Sequence, residues 1–239
     1  MNFKKILLVV SLVASVSDMA FAQNQNTDLN DASIALGYVG TTGNTDTTSL
    51  NTEVLLKFGT VRWTNNLKFQ ALGSQEDDAS TAERYFLDEK SDFNLDDRQY
   101  IFGKGTYDDD RFSGYEYQAT ATAGYGRYFF KQANYTLQGF GGAGYRKSDV
   151  VNAGSENEGI FTVGQNLSWQ FSPSSSIVQS LTSDIGGDIT ISRFELGLVS
   201  NLLDRVATKI AFQARNTSEV PLGNKKTDTQ TSVSLIYSF

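Results

Sequence analysis

Apolar and polar residues alternate along the chain from residue 32 to residue 239. Near the carboxyl end, for example, Val206, Ile210 and Phe212 share one parity, whereas Lys209 has the other. Clusters of Gly, Asn, Asp or Ser interrupt the alternation about every 10 to 15 residues, and no helical period of 3.6 is evident. The pattern predicts an all-β protein made of short strands joined by turns.

Twelve alternating runs can be counted, and most are close to the ~9 to 11 residues of a tilted membrane strand. They predict an antiparallel transmembrane β-barrel of about twelve strands, with ten and fourteen as alternatives, and an even count places both termini on the periplasmic side. The predicted strands are 32–40, 47–58, 63–72, 82–94, 99–107, 115–129, 135–146, 158–171, 177–184, 189–199, 206–216 and 227–239.

The connections between these runs fall into two alternating classes. One class consists of tight turns at 59–62, 95–98, 130–134, 172–176 and 200–205. The other class is mostly longer and acidic or Gly-rich, at 73–80, 108–114, 147–157 and 217–226, with the short 186–188 as an exception. Short periplasmic turns opposite longer outer loops are typical of outer-membrane barrels. The run Asp108, Asp109 and Asp110 is therefore predicted to form an acidic outer loop.

Aromatic residues concentrate on the side of the tight turns. A girdle of amphipathic rings at one level distinguishes a membrane barrel from a soluble β-sandwich, which also shows alternation. The predicted girdle pairs are Phe58 and Trp63, Phe93 and Tyr100, Phe129 and Tyr135, Trp169 and Phe171, and Tyr237 and Phe239.

The last strand carries a predicted assembly signal. Val233, Leu235, Tyr237 and Phe239 occupy alternate positions, and the chain ends on the aromatic residue. This resembles the terminal signal that the outer-membrane assembly machinery recognises. We therefore expect that machinery to be a partner, together with outer-membrane lipids and lipopolysaccharide.

The amino terminus has the three regions of a secretory signal peptide: Lys4 and Lys5, an apolar run over 6–16, and an Ala-Phe-Ala sequence ending at Ala22. The apolar run is shorter than the ~20 residues of a membrane-spanning helix. We predict cleavage after Ala22, a short periplasmic segment over 23–31, and an outer-membrane barrel over 32–239, exported by the general secretory pathway.

Composition narrows the range of functions. The chain has a net charge of −7, which argues against nucleic-acid binding, for which a basic surface is expected. It contains no His and no Cys. Most nucleophilic hydrolases and catalytic zinc sites need imidazole, so we expect no enzymatic activity, no catalytic residues, no metal site and no cofactor.

Charged residues of both signs alternate with the lipid-facing positions, and they predict a lumen of balanced charge. Such charges can line a narrow pore, or they can pair across the interior and plug it; a twelve-stranded barrel leaves both open. The predicted inward charges are Lys57, Lys68, Arg84, Arg193, Lys209 and Arg215 with Glu53, Asp88, Glu116, Glu158, Glu195 and Asp228.

Two local features complicate this pattern. In the run 82–94, Glu89 shares the parity of Leu87 and Phe93 and would face lipid at a cost, unless a bulge or a position above the membrane intervenes. Small residues also crowd 119–126 and 139–144. They predict either a groove for a ligand or relief of crowding in a closed barrel.

Several motifs resemble the domain of unknown function 481 (DUF481) family, described as salt-induced outer membrane proteins. They are Thr42-Gly43-Asn44-Thr45, Arg62-Trp63, the run 81–86, and the run 108–114 followed by Gly124-Tyr125-Gly126. The resemblance spans nearly the whole chain after residue 22. It implies an outer-membrane barrel and a link to salt or osmotic conditions, and it supplies no activity.

Two functions remain open at this point. The first is a narrow, weakly selective pore for small polar solutes. The alternative is a closed structural barrel whose outer loops bind lipopolysaccharide, divalent cations or a partner. The sequence specifies neither a solute nor an oligomeric state.

Overall fold

The computed structural model describes residues 28–42, 47–76, 79–111, 113–151, 154–221 and 223–239. Within them, twelve antiparallel strands form one closed barrel, which confirms the predicted class and strand number. The strands are β1 (Asp28–Thr42), β2 (Thr47–Gly59), β3 (Trp63–Glu76), β4 (Ala79–Asn94), β5 (Gln99–Asp110), β6 (Tyr115–Lys131), β7 (Tyr135–Val150), β8 (Gly154–Ser172), β9 (Ser175–Gly186), β10 (Thr190–Leu203), β11 (Val206–Thr217) and β12 (Thr227–Ser238).

Each strand pairs with its neighbours in sequence, and β12 pairs with β1 to close the barrel. Closure satisfies the backbone hydrogen bonds of every strand, so the sheet has no edge. No helix in the described part of the chain is long and apolar enough to cross a membrane.

The first strand is longer than predicted. It begins at Asp28 rather than Ala32, because β2 continues to Gly59 and offers backbone partners to Asp28 and Leu29. Residues 28–31 therefore belong to the barrel wall and not to a separate periplasmic segment. The predicted cleavage site after Ala22 lies outside the described residues.

The strands also extend further on the side opposite the tight turns. The predicted connection 147–157 shortens to 151–153, because β7 and β8 remain paired as far as Val150 and Gly154. Extended hairpins keep the backbone polar groups hydrogen-bonded, and a polar composition does not prevent this. The predicted outer loops 73–80 and 147–157 are thus mostly strand, whereas 218–226 still connects β11 to β12.

The outer surface carries the apolar positions. On β12, Val233 and Leu235 are 55% and 54% exposed, whereas Ser232 and Ser234, at the alternating positions, are buried inside. Aromatic contacts lie at the level of the tight turns, with centroid distances of 5.0 Å for Trp63–Phe93, 5.7 Å for Phe130–Tyr135, 5.8 Å for Trp169–Phe171 and 5.0 Å for Tyr237–Phe239. This arrangement matches an interfacial girdle.

Tyr100 was wrongly predicted to belong to the girdle. It shares the parity of the inward-facing Phe102 on β5 and is only 1% exposed. By contrast, Glu89 does lie on the outer face with Leu87, because the pairing of β4 with β5 is regular from Arg84 to Asn94 and contains no bulge there.

Candidate functional site

The lumen holds a cavity of about 620 Å³ whose walls carry charges of both signs. Ten of the twelve charges predicted to face inward line it: Glu53, Lys57, Lys68, Arg84, Asp88, Arg193, Glu195, Lys209, Arg215 and Asp228. Glu158 instead pairs with the buried Arg146, at 2.5 Å, beyond the lining of this cavity.

Glu116 is a correction to the prediction, since it is exposed and outside the lumen. The pairing of β6 with β7 shifts between Tyr115 and Tyr117, so Glu116 is the extra residue of a bulge. A bulge leaves its extra residue unpaired and reverses the parity on one side of it. Tyr115 is consequently buried in the place that alternation assigned to Glu116.

Four of the lumenal charges form an ion-pair quartet, which consists of Glu53 on β2, Lys68 on β3, Glu195 on β10 and Lys209 on β11. Lys68 Nζ lies 2.5 Å from Glu195 Oε2 and 3.5 Å from Glu53 Oε2. Lys209 Nζ lies 3.0 Å from Glu53 Oε1 and 2.8 Å from Glu195 Oε1. Each carboxylate therefore contacts both ammonium groups, and the quartet is a closed ring of alternating charge.

The quartet spans the lumen. Around the barrel wall, β3 and β10 are separated by β2, β1, β12 and β11, so Lys68 and Glu195 are five strand-to-strand steps apart. Six steps would be diametrically opposite in a barrel of twelve strands. A contact between them therefore reaches across the lumen.

A second set of cross-lumen contacts converges on Asp108, which is 3% exposed. We call Arg84, Arg193 and Arg215 the arginine cluster. Arg84 Nε and Nη2 donate hydrogen bonds of 2.8 and 2.9 Å to the two carboxylate oxygens of Asp108. Arg193 Nη2 and Arg215 Nη1 lie 3.7 and 3.4 Å from Asp108 Oδ2. Because β11 is six steps from β5, the Arg215 contact also crosses the axis.

The predicted acidic outer loop over Asp108, Asp109 and Asp110 is therefore wrong. All three residues belong to β5, because Arg84 and Asp110 are register partners and the pairing with β4 continues to that point. Asp108 faces the arginine cluster inside the barrel. Arg111 follows the strand end and forms its ion pair with Glu83, at 2.8 Å.

Aromatic side chains fill the lumen nearer the tight turns. Tyr100, Phe102 and Phe140 pack together, and Lys90 Nζ lies 4.3, 5.1 and 5.2 Å from their respective ring centroids. Lys90 also forms an ion pair with Asp92. A lysine held against three ring faces gains cation–π attraction as well as its ion pair. The three rings and Lys90 therefore narrow the lumen at this level.

The sequence prediction missed these inward charges of β4, although a signal was present. Lys90 and Asp92 continue the parity of Asp88, which was predicted to face the lumen and which pairs with Lys104 at 3.0 Å. Arg146 and Asp184 were missed as well, and both are buried.

The small residues of β6 and β7 accommodate their neighbours. Gly126 faces inward beneath the ring of Tyr100, where an added Cβ would lie 2.1 Å from a ring carbon. Gly124 and Gly142 bring the two strands close together, since a Cβ on either would meet the opposite backbone at 2.2 and 2.4 Å. Glycine at these positions relieves crowding inside a closed barrel.

The predicted assembly residues line the outer face of β12. Phe239 is 62% exposed, and its backbone N–H donates to the carbonyl of Ala32, at 3.0 Å, across the closure of the barrel. Its ring contacts Tyr237 edge-on. These predicted assembly residues therefore lie at the seam where β1 and β12 pair.

Solved structures and sequence relatives place this geometry in context. The fold is similar to that of the NanC porin, with a TM-score of 0.56, 7% identity, and coverage of 85% of this chain and 98% of that one. It is also similar to an outer membrane channel from Pseudomonas putida F1, with a TM-score of 0.51, 10% identity, and coverage of 89% and 96%. At these identities the likeness shows the fold of outer-membrane barrels.

A relative from Escherichia coli (strain K12), the uncharacterized protein YdiY, is 28% identical over 211 residues, which cover 87% of this chain and 82% of the relative. The model of a family described as "Protein of unknown function, DUF481" matches residues 34–239. The family expected from the motifs is thereby confirmed. The chain belongs to the DUF481 family.

Proposed function

We propose that this protein is a non-enzymatic channel of the cell outer membrane, narrow and weakly selective for small polar solutes, and that the ion-pair quartet holds it closed at rest. The proposal includes export with cleavage after Ala22, and both termini in the periplasm. The observation that carries it is the Lys68–Glu195 contact across the lumen, at 2.5 Å.

Balanced charge supports weak selectivity. A lumen that selects ions of one sign carries charges of the opposite sign. Here each Lys of the quartet contacts two Glu residues, so neither sign of solute gains a net attraction. Similarity to the fold of a protein described as a porin is consistent with a channel.

Closure follows from the energetics of partly buried ion pairs. Separating such a pair leaves two poorly hydrated charges, which costs several times as much as separating an exposed surface pair. Lys68 retains 26% side-chain exposure, whereas Glu53 retains 5%, so water reaches one side of the quartet. We infer that a solute or a local rearrangement opens the lumen by supplying replacement partners.

Conductance in planar lipid bilayers tests the proposal. Wild-type protein is expected to show small, infrequent steps, and a Lys68→Ala/Glu195→Ala double variant should conduct several-fold more. The matched control is an Arg111→Ala/Glu83→Ala variant, which removes an ion pair from the barrel end. Absence of reproducible steps from every variant would instead support the alternative, a closed structural barrel whose outer loops bind envelope components.

The family resemblance adds an osmotic role to this proposal. A deletion strain is expected to recover more slowly from a salt upshift, and the wild-type gene should restore growth. If the charge-deleted channel restores growth equally well, the closed state is not needed for that role.

A further inference from the structure

Two arginines of the cluster stand side by side on neighbouring strands. Arg193 on β10 and Arg215 on β11 are direct register partners. Like charges at directly opposite positions of a sheet destabilise it unless an anion lies between them. Asp108 Oδ2 approaches both guanidinium groups, but at 3.7 and 3.4 Å these contacts are longer than good hydrogen bonds.

Both arginines also have an unused buried donor. Arg193 Nη1 donates to Asp184 at 2.9 Å, and Arg215 Nη2 donates to Gln118 at 2.5 Å. The Nε atoms of both residues are buried and find no hydrogen-bond acceptor among the described residues. The Arg215 side chain is 9% exposed, so bulk water does not solvate it freely. Orphaned buried donors in one place are a sign of an ion or an ordered water that belongs there.

The surroundings hold the two guanidinium groups in place at the wall of the lumenal cavity. Arg193 and Arg215 both line the cavity of about 620 Å³. The Phe86 ring lies 5.7 Å from the guanidinium carbon of Arg193 and 5.4 Å from that of Arg84. A planar guanidinium held in this way presents its donors in the fork that suits carboxylate and phosphate oxygens.

We propose that Arg193 and Arg215 form a lumenal binding site for a small oxyanion, a carboxylate or a phosphate, which enters from the cavity, displaces the long contacts of Asp108 and accepts hydrogen bonds from the two guanidinium groups. Four aspartates, Asp108, Asp110, Asp184 and the Arg215 register partner Asp228, offset the positive charge of the arginine cluster. Binding is therefore expected to be weak and reversible. The site goes beyond the proposed channel and stands whether or not the lumen conducts.

Thermal unfolding of the full-length mature protein in detergent micelles tests the site. Sodium acetate and sodium phosphate are compared with sodium chloride at constant ionic strength, which separates oxyanion binding from screening. The expected result is a rise in Tm of a few degrees with at least one oxyanion. An Arg193→Gln/Arg215→Gln variant should lose this rise, and the exposed Arg111→Gln control should retain it.

The comparison of acetate with phosphate distinguishes the two classes of ligand. A rise with acetate assigns carboxylate-bearing solutes, and a rise with phosphate alone assigns free phosphate. Should the double variant fail to fold, Arg193→Gln alone serves, and a weakened response is expected because one of the two guanidinium groups is lost.

Asp108→Asn should strengthen oxyanion binding, because it removes the carboxylate that competes for the two arginines. The acetate or phosphate concentration that gives half the Tm rise should fall several-fold. No oxyanion-specific rise in the wild-type protein would overturn the proposal. An undiminished rise in the Arg193→Gln/Arg215→Gln variant would do so as well.

Discussion

Lys68 Nζ on β3 lies 2.5 Å from Glu195 Oε2 on β10, although five strand-to-strand steps separate the two residues around the barrel wall. Pairing between adjacent strands cannot bring together two residues that lie so far apart around the wall. The contact exists because long side chains reach across a lumen of only twelve strands. The contact joins four charges from four strands into one ion-pair network.

Loss of one quartet charge should destabilise the barrel. Glu195→Ala leaves Lys68 and Lys209 sharing Glu53, so the free energy of unfolding should fall by roughly 2–4 kcal/mol. Urea unfolding in lipid vesicles measures the change. Glu83→Ala, which removes an exposed pair with Arg111, should cost less than about 1 kcal/mol. Equal effects of the two substitutions would contradict a special role for the quartet.

Gly126 should be intolerant of a side chain. Gly126→Ala places a methyl group against the ring of Tyr100 and should cost about 1–3 kcal/mol of unfolding free energy. Gly103→Ala is the control, since an added Cβ there meets nothing within 4 Å. A Tyr100→Ala/Gly126→Ala variant should show less than the sum of the two single effects. Strict additivity would mean that the two residues do not interact.

The turn between β4 and β5 should contribute a pH-dependent stability. Asp96 accepts hydrogen bonds of 2.7 Å from the backbone N–H groups of Arg98 and Gln99, and these lower the pKa of its carboxyl. Folding therefore favours the ionised form. The stability that the ionised Asp96 carboxylate contributes is complete at pH values above its ordinary pKa of about 3.9. It is lost as the pH falls through the lowered pKa of the folded protein.

Asp96→Ala should accordingly lower the urea midpoint at pH 7, and the gap from the wild type should narrow below about pH 4. Asp97→Ala serves as the control in the same turn, because the hydrogen bond from Lys131 Nζ is accepted by the backbone carbonyl of residue 97, which the substitution keeps. A gap that stays constant across this pH range would rule out the carboxylate as the cause.

Phe239 should matter for assembly more than for stability. Phe239→Ala is expected to lower the amount of folded protein in the outer-membrane fraction several-fold while secretion to the periplasm continues. Phe171→Ala removes another exposed girdle ring, which packs on Trp169, and should have a much smaller effect. Normal outer-membrane levels of the Phe239 variant, measured by fractionation and immunoblotting, would refute an assembly signal at this residue.

Alternation was sufficient to predict the barrel and its twelve strands, because the period of 2 is a local property of the chain. It failed where a single extra residue reversed parity, as at Glu116, and where strands continued past the apolar segment, as at Asp108. A bulge and a strand extension are set by backbone pairing with the neighbouring strand. The side-chain pattern does not record that pairing.

The pairing of the lumenal charges was beyond sequence reasoning for a different reason. Parity correctly placed Glu53 and Lys209 on the inner wall, but which charges meet depends on the stagger of the strands and on the width of the lumen. Neither quantity is local. The sequence therefore left a pore and a plug equally open, and only the three-dimensional contacts show which lumenal charges pair.

Reversal of the whole quartet tests the closed channel most directly. In planar bilayers, Lys68→Glu alone should raise conductance, because the introduced carboxylate would repel those of Glu53 and Glu195. A variant with Glu53→Lys, Lys68→Glu, Glu195→Lys and Lys209→Glu restores every pair with opposite polarity, and it should return to the low conductance of the wild type. If the fourfold reversal conducts as freely as the single reversal, the ion pairs are not what closes the lumen.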